Sequence, residues 1–434
     1  MTLLIISPDY ASHLLPLATL GTAWQKAGER VIVATGPATA SIVEAFGFER
    51  VNLQLGKGSN PGVIRAEDQP KGEDDALRGF FDATRRGMVE TLAFQAEARL
   101  SDLMWEPVRQ ARAVQAIVAE IQPDAIIVDH LAFSARVGLV AGGIPHADVV
   151  LGHPSALPVG DEVYGFPPEW PVEFEPSESS LADLLELCNR VSESFTLEWN
   201  TALAELNPSA PLSENAFAEH GDLLMLNYPL QLSAPSRTAQ LSPHVFLGSA
   251  VRDEAADPEV DAWLASSDEL FVYVSFGSFL SVRGDVLARV MQALSSLGVR
   301  AAIAIGSADR AELGEFPGDW LVREFLPQVT LLRSAAAAVT HGGNNSVTES
   351  MTYGVPLLVL PFSTDQFAGA AAIEAAGFGE VLAPNEASVS ELAGAIGRIL
   401  ELPDDARSRL SETSASLLDQ PGRDRAFAAL QPAL

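Results

Sequence analysis

An α/β protein built from two doubly wound, Rossmann-like domains is what these 434 residues predict. The first observation is an opening unit. Residues 3–7 are an apolar strand, a polar loop (8–12) leads to His13, Pro16 opens a helix to about Ala27, and residues 30–34 form the next strand after Gly28. The second observation is that the same grammar returns. Residues 270–274 read as a strand, 275–278 as a loop, 286–297 as a helix and 299–305 as another strand. The third is an apolar fraction of 47%, enough for two real cores at this length. Each such unit opens a ligand crevice at the carboxyl ends of its strands.

Between the two starts, residues 56–75 are rich in Gly, Pro and charge and are expected to be mobile. Gly56-x-Gly58 misses a dinucleotide fingerprint, since Pro61 stands where the third glycine is required. Residues 76–120 carry apolar residues at helical spacing, among them Phe80, Phe81, Met88, Leu92, Leu103, Met104 and Trp105. Core packing accounts for most of these, and an apolar pocket wall could draw on the same types. Strands follow at 125–128, ending at Asp129-His130, and at 147–151. The stretch 160–180 reads as a long loop holding Tyr164, Phe166 and Trp170, equally suited to a pocket wall or to interdomain packing. Residues 223–226 read as the last strand of a first domain spanning 1–235. Residues 236–258 lack periodicity and form the linker, and the second domain runs over 259–419. A short helix occupies the remainder, 420–434, after Pro421.

Composition removes several function classes. A formal net charge of −30 argues against nucleic acid and against an anionic membrane surface, so any anionic substrate must be held by local dipoles. One cysteine, Cys188, excludes an internal disulfide and a cysteine-rich metal site. No long uncharged apolar run could span a membrane. The opening residues lack a cationic lead and carry Asp9, so a first strand is expected there and not a signal peptide, and with it a cytoplasmic location.

Residues 323–366 hold the densest pattern. An apolar run, 335–340, ends at His341, Gly342 and Gly343 let the backbone turn, and Asn344, Asn345 and Ser346 are good helix caps. Glu349, three residues after Ser346, completes a capping-box spacing, Gly354 closes the helix, and 355–360 is a second buried strand. A glycine turn feeding a helix N-terminus suits a phosphate, although the same residues are ordinary helix-start chemistry.

Phe325, Pro327, Gln328, Thr340-His341-Gly342-x-Asn344-x-Ser346, Glu349, Gly354-Val355-Pro356, Pro361 and Asp365-Gln366 together resemble the nucleotide-sugar signature of the family-one glycosyltransferases, the group of plant and bacterial natural-product transferases. The resemblance implies the GT-B fold, two Rossmann-like domains facing a central cleft, with the terminal helix crossing back to the first. It implies that Gln328 and the Phe325 ring hold the base. Tryptophan is usual at that position in plant members, so uridine and thymidine both stay open, UDP-sugar being favoured. Gly342, Asn344, Asn345 and Ser346 would cradle the diphosphate, with His341 donating and Ser278 reaching the same phosphates. Glu349 would accept from ribose hydroxyls, and Asp365 and Gln366 would bind the hydroxyls of a fully hydroxylated sugar such as glucose. Ser12-His13-x-x-Pro16 matches the family's general base, with Asp129 as its carboxylate partner; Asp129 could equally be a helix cap. His130 and His146 are less well placed, and His153 carries no matched motif.

The chain has no Asp-x-Asp motif, so no metal is expected on the diphosphate. The expectation is an inverting, metal-independent O-glycosyltransferase that takes a small hydroxyl acceptor and needs no cofactor beyond its nucleotide-sugar co-substrate. A nucleotide-sugar hydrolase or epimerase and a non-catalytic binding protein remain alternatives; a nicotinamide dehydrogenase lacks its glycine fingerprint and a serine hydrolase its G-x-S-x-G elbow. Acceptor identity and oligomeric state are not encoded in any motif.

Overall fold

The computed structural model describes residues 1–62, 72–100 and 103–431. Of the segment 56–75 expected to be mobile, residues 63–71 lie outside the described residues, as do the last three of the terminal stretch.

The first domain runs β1 (Thr2–Ile6), α1 (Ala11–Lys26), β2 (Arg30–Thr35), α2 (Ala40–Ala45), β3 (Glu49–Asn52), α3 (Glu73–Ala83), α4 (Met88–Arg99), α5 (Pro107–Ile121), β4 (Ala125–Asp129), α6 (Phe133–Ala141), β5 (Ala147–Val150), α7 (Glu178–Leu206), β6 (Leu223–Leu226), α8 (Pro235–Thr238) and β7 (His244–Phe246). Among the described residues its seven strands are all parallel, in the order β3-β2-β1-β4-β5-β6-β7. The second domain runs α9 (Pro258–Ala265), β8 (Phe271–Ser275), α10 (Gly277–Leu280), α11 (Gly284–Leu297), β9 (Arg300–Ala304), β10 (Leu321–Arg323), α12 (Gln328–Leu332), β11 (Ala337–Thr340), α13 (Asn344–Thr352), β12 (Leu357–Val359), α14 (Gln366–Ala376), β13 (Gly379–Val381), α15 (Val389–Leu400) and α16 (Asp404–Asp419). Its six parallel strands are ordered β10-β9-β8-β11-β12-β13.

Helices cover both faces of each sheet, which is why the central strands read as unbroken apolar runs: Leu3, Leu4, Ile5 and Ile6 are all fully buried. Strand order reverses between β1 and β4 in one sheet and between β8 and β11 in the other. A crevice therefore opens beyond the carboxyl ends of those two strand pairs. α17 (Gly422–Ala429) packs on the first domain, its Phe427 edge-on to Trp24 of α1 at 5.0 Å.

Several sequence expectations shift. β7 lies inside the stretch read as linker, because three residues are too few to show a period; the connection between the domains therefore begins only after Phe246. Residues 76–120, helical in spacing, fall among the described residues into three helices, broken where Gly87 and Pro107 stand. α7, with 29 residues, has no counterpart in the sequence reading. α1 begins at Ala11, so His13 lies in its first turn and Pro16 inside the helix, where a loop and a helix start were expected. The reason is that His13 and Leu14 N–H already bond the Tyr10 carbonyl. Among the described residues no helix is long and apolar enough to cross a membrane.

Candidate active site

One cavity of about 730 Å³ lies between the domains, lined by elements of both. On the first-domain side, β1 and β4 are neighbours, Ile6 opposite Val128, so the segments leaving them meet. His13, in the first turn of α1, has its Nδ1 2.7 Å from Oδ2 of Asp129. The Asp129 carboxylate is 1% exposed, and its other oxygen accepts the Leu131 N–H at 2.8 Å. The carboxylate is acceptor-only when ionised, so His13 carries its proton on Nδ1 and leaves Nε2 basic. Burial works against a charged His13 ring, but the charge and hydrogen bond of Asp129, with the charge of Asp365 behind them, outweigh it and the pKa rises.

Asn345 adds a link that the sequence hid. Pro16 has no N–H to give the Ser12 carbonyl four residues back. That carbonyl accepts instead from Nδ2 of Asn345, across the cleft, at 2.9 Å.

On the second-domain side, β8 and β11 deliver Ser278 and His341 to the same cavity. Gly277 has φ +68°, and a Cβ there would stand 2.7 Å from Cε1 of His341, so the turn admits no side chain while the ring stays in place. His341 is half-buried, and desolvation of its ring lowers its pKa to about 4. It can therefore donate as a neutral imidazole but supplies no positive charge at neutral pH. Ser278 Oγ accepts from Nδ2 of Asn60 at 3.2 Å. α13 starts at Asn344 after a Gly343 that offers no side chain, and no side chain caps it. Its N-terminal dipole is left open toward the cavity, the arrangement that accepts an anion.

The other expected donor contacts divide. Phe325 is 64% exposed on the cavity wall, a ring face free for stacking. Gln328 is there too, but its Nε2 donates to Oε2 of Glu349 at 2.6 Å and its Oε1 accepts from Tyr273 at 3.3 Å. The capping box expected from Ser346 and Glu349 does not form. The helix is capped three residues earlier, at Gly343, and Glu349 turns instead to Arg252, at 2.7 Å. Burial raises the Glu349 pKa against the pull of Arg252 and Gln328. Arg252 comes from the connection between the domains and also pairs with Glu254, and no motif announced it. Asn344, expected to cradle phosphate, donates its Nδ2 to the carbonyls of Leu151 (2.7 Å) and Asn227 (2.9 Å) in the first domain. With Asn345 also committed, what Asn344 and Asn345 offer the cavity from α13 is backbone.

Asp365 accepts the His153 N–H at 2.5 Å and Thr364 Oγ1 at 3.0 Å. Gln366, expected to bind sugar hydroxyls, is engaged within its own turn. Its Oε1 accepts from Phe362 and Ser363 N–H and its Nε2 donates to Ser363 Oγ. A two-residue hydroxyl clamp is thus reduced to Asp365. His130 and His146 gather round buried Asp148 and Arg136, which hold that end of the first domain together.

Residues 288–422 match the family of the erythromycin biosynthesis protein CIII-like C-terminal domain. The oleandomycin glycosyltransferase of Streptomyces antibioticus is 29% identical over 227 residues, 50% of this chain and 51% of that protein. An uncharacterised UDP-glucosyltransferase, YdhE, of Bacillus subtilis (strain 168) is 31% identical over 134 residues, 31% of this chain and 34% of that one. The PGL/p-HBAD biosynthesis rhamnosyltransferase of Mycobacterium bovis (strain BCG / Pasteur 1173P2) is 29% identical over 184 residues, 42% and 38% of the two chains. The chain thus spans about half or less of the length of these curated relatives. Solved structures match throughout. The spinosyn rhamnosyltransferase SpnG, complexed with thymidine diphosphate, aligns with a TM-score of 0.68 at 20% identity over 100% of both chains. The glycosyltransferase VinC, in complex with dTDP, aligns with a TM-score of 0.68 at 18% identity over 99% and 98%. The shared architecture is GT-B.

Proposed function

We propose that this chain is a family-one natural-product glycosyltransferase, a reading its domain match and GT-B architecture support, and that it carries out inverting transfer of a sugar from a nucleoside-diphosphate donor to a hydroxyl of a small acceptor. The observation that carries the reading is that a His–Asp pair and an uncapped helix N-terminus line opposite sides of one cavity.

In this reading Nε2 of His13 takes the acceptor's hydroxyl proton while the oxygen attacks the anomeric carbon. The new C–O bond forms as the bond to the diphosphate breaks, and the electron pair leaves with the nucleoside diphosphate. Asp129 fixes the imidazole tautomer and stabilises the imidazolium that forms. The α13 dipole and a hydrogen bond from neutral His341 meet the leaving charge, without a metal ion. Phe325 stacks on the base, and Arg252 with Gln328 orients Glu349 toward the ribose. Asp365 remains for sugar hydroxyls. With Gln366 engaged elsewhere, the case for a glucose-like sugar weakens, and UDP- and dTDP-sugars enter the test equally.

The test incubates the protein with UDP- and dTDP-sugars, a panel of phenolic and alcoholic acceptors, and EDTA. A glycoside of inverted anomeric configuration is expected, reduced about 10²- to 10⁴-fold in His13→Ala. Free sugar formed equally fast without acceptor would point to hydrolysis, and unchanged turnover in His13→Ala would remove the base from its role.

A further inference from the structure

We infer that the acceptor carries an anionic group, a carboxylate or an equally acidic oxygen, and that Arg99 binds it. The inference rests on the transferase reading and names its acceptor class.

The cavity's first-domain wall is apolar where α3 and α4 line it, with Leu77, Phe80 and Phe94. Arg99, in the last turn of α4, breaks that wall. It is half-buried and lies over the ring of Tyr164, with the guanidinium carbon 5.1 Å from the ring centre. Tyr164 is itself fixed, stacked on Phe217 with centroids 3.8 Å apart and planes 6° from parallel. The neighbouring turn makes room: Gly165 has φ +85°, and a Cβ there would stand 3.2 Å from Nη1 of Arg99. A stacked guanidinium uses its face, so its N–H edge is left for a ligand.

The Arg99 guanidinium makes no hydrogen bond or ion pair with any other described residue. In a chain with 57 acidic and 27 basic residues, a half-buried arginine with no carboxylate partner among the described residues is unusual, because acids outnumber bases two to one. The nearby Cys188 thiol supplies no anion, since burial pushes its pKa up to about 11. The cavity's other arginine, Arg252, is held by Glu349 and Glu254. On the acidic side, Asp129 pairs with His13, Asp365 accepts from the His153 N–H and from Thr364 Oγ1, and Glu324 lines the second-domain wall. A bidentate carboxylate is the partner that a planar guanidinium edge fits best. It also offsets the repulsion that an anionic acceptor meets from the protein's net charge.

The experiment measures acceptor binding by calorimetry with UDP or dTDP present and no donor sugar. The probes are 6-hydroxy-2-naphthoic acid, 4-hydroxycinnamic acid and 4′-hydroxybiphenyl-4-carboxylic acid, each beside its methyl ester. Wild type is expected to bind at least one acid about tenfold or more tightly than its ester. Arg99→Met, which keeps an apolar stem, loses the preference but keeps ester and nucleotide affinity; Arg99→Lys retains part of it. No acid preferred over its ester in wild type, or a preference that survives Arg99→Met, overturns the assignment. Melting curves show that each variant is folded. Because binding is read without turnover, an acid preference with no glycosyl transfer would sink the proposed reaction alone. Transfer with no acid preference would sink the Arg99 assignment alone.

Discussion

Asp129→Asn is a nearly isosteric change whose effect can be worked out from the hydrogen bonds. The Asp129 carboxylate has two fixed donors, Leu131 N–H at 2.8 Å and His13 Nδ1 at 2.7 Å. An asparagine can keep the Leu131 bond only through its carbonyl oxygen, which turns its NH₂ toward the imidazole. His13 must then accept at Nδ1 and carry its proton on Nε2, where the base is needed. Loss of orientation and of tautomer together costs about 10²- to 10⁴-fold in kcat. The pH profile supplies the sign. Asp129 is what lifts the His13 pKa against burial, and the base works only when neutral, so wild-type activity falls as pH drops through that raised pKa. With the charge gone, burial is unopposed apart from Asp365, and the acid limb of kcat/KM moves to lower pH. The assay is product formation from pH 5 to 9 at saturating donor. A plateau within about threefold of wild type, with an unmoved acid limb, would refute the reasoning.

Three further outcomes concern single residues of the site. Phe325→Ala leaves stability within about 0.5 kcal/mol, since the ring is exposed, but weakens UDP or dTDP about tenfold in calorimetry through lost stacking. Gly277→Ala puts a Cβ at positive φ against His341 and lowers stability by about 1–3 kcal/mol in a urea melt, with nucleotide affinity falling as well. Asn345→Ala strands the Ser12 carbonyl and costs about 1–2 kcal/mol; adding Pro16→Ala gives that carbonyl an intrahelical donor and recovers part of the loss.

The two parallel sheets were legible because their central strands are buried on both faces and the helices between carry their own stop and start residues. His13, Asp129, Ser278 and His341, which the resemblance singled out, come to one cavity because each stands at or beyond the carboxyl end of one of the four strands flanking a switch point. What stayed hidden depends on contacts between distant segments. Arg252 has no local pattern, yet holds Glu349 from 97 positions away. Asn345 reads as a helix cap until Pro16 is seen to leave Ser12 without a donor. Gln366 reads as a sugar ligand until its turn closes on it. β7 is too short to show any period. Ser177 caps α7 but stands beside Ser179 and Ser180, so the sequence does not single it out.

The most direct measurement is a structure of the protein with UDP or dTDP soaked in. The diphosphate should lie at the first turn of α13, within hydrogen-bond reach of its free N–H groups and of His341, with the base against Phe325 and the cavity between sugar site and His13 open. A nucleotide seated anywhere else, or a diphosphate shut out of that helix end, would contradict the account.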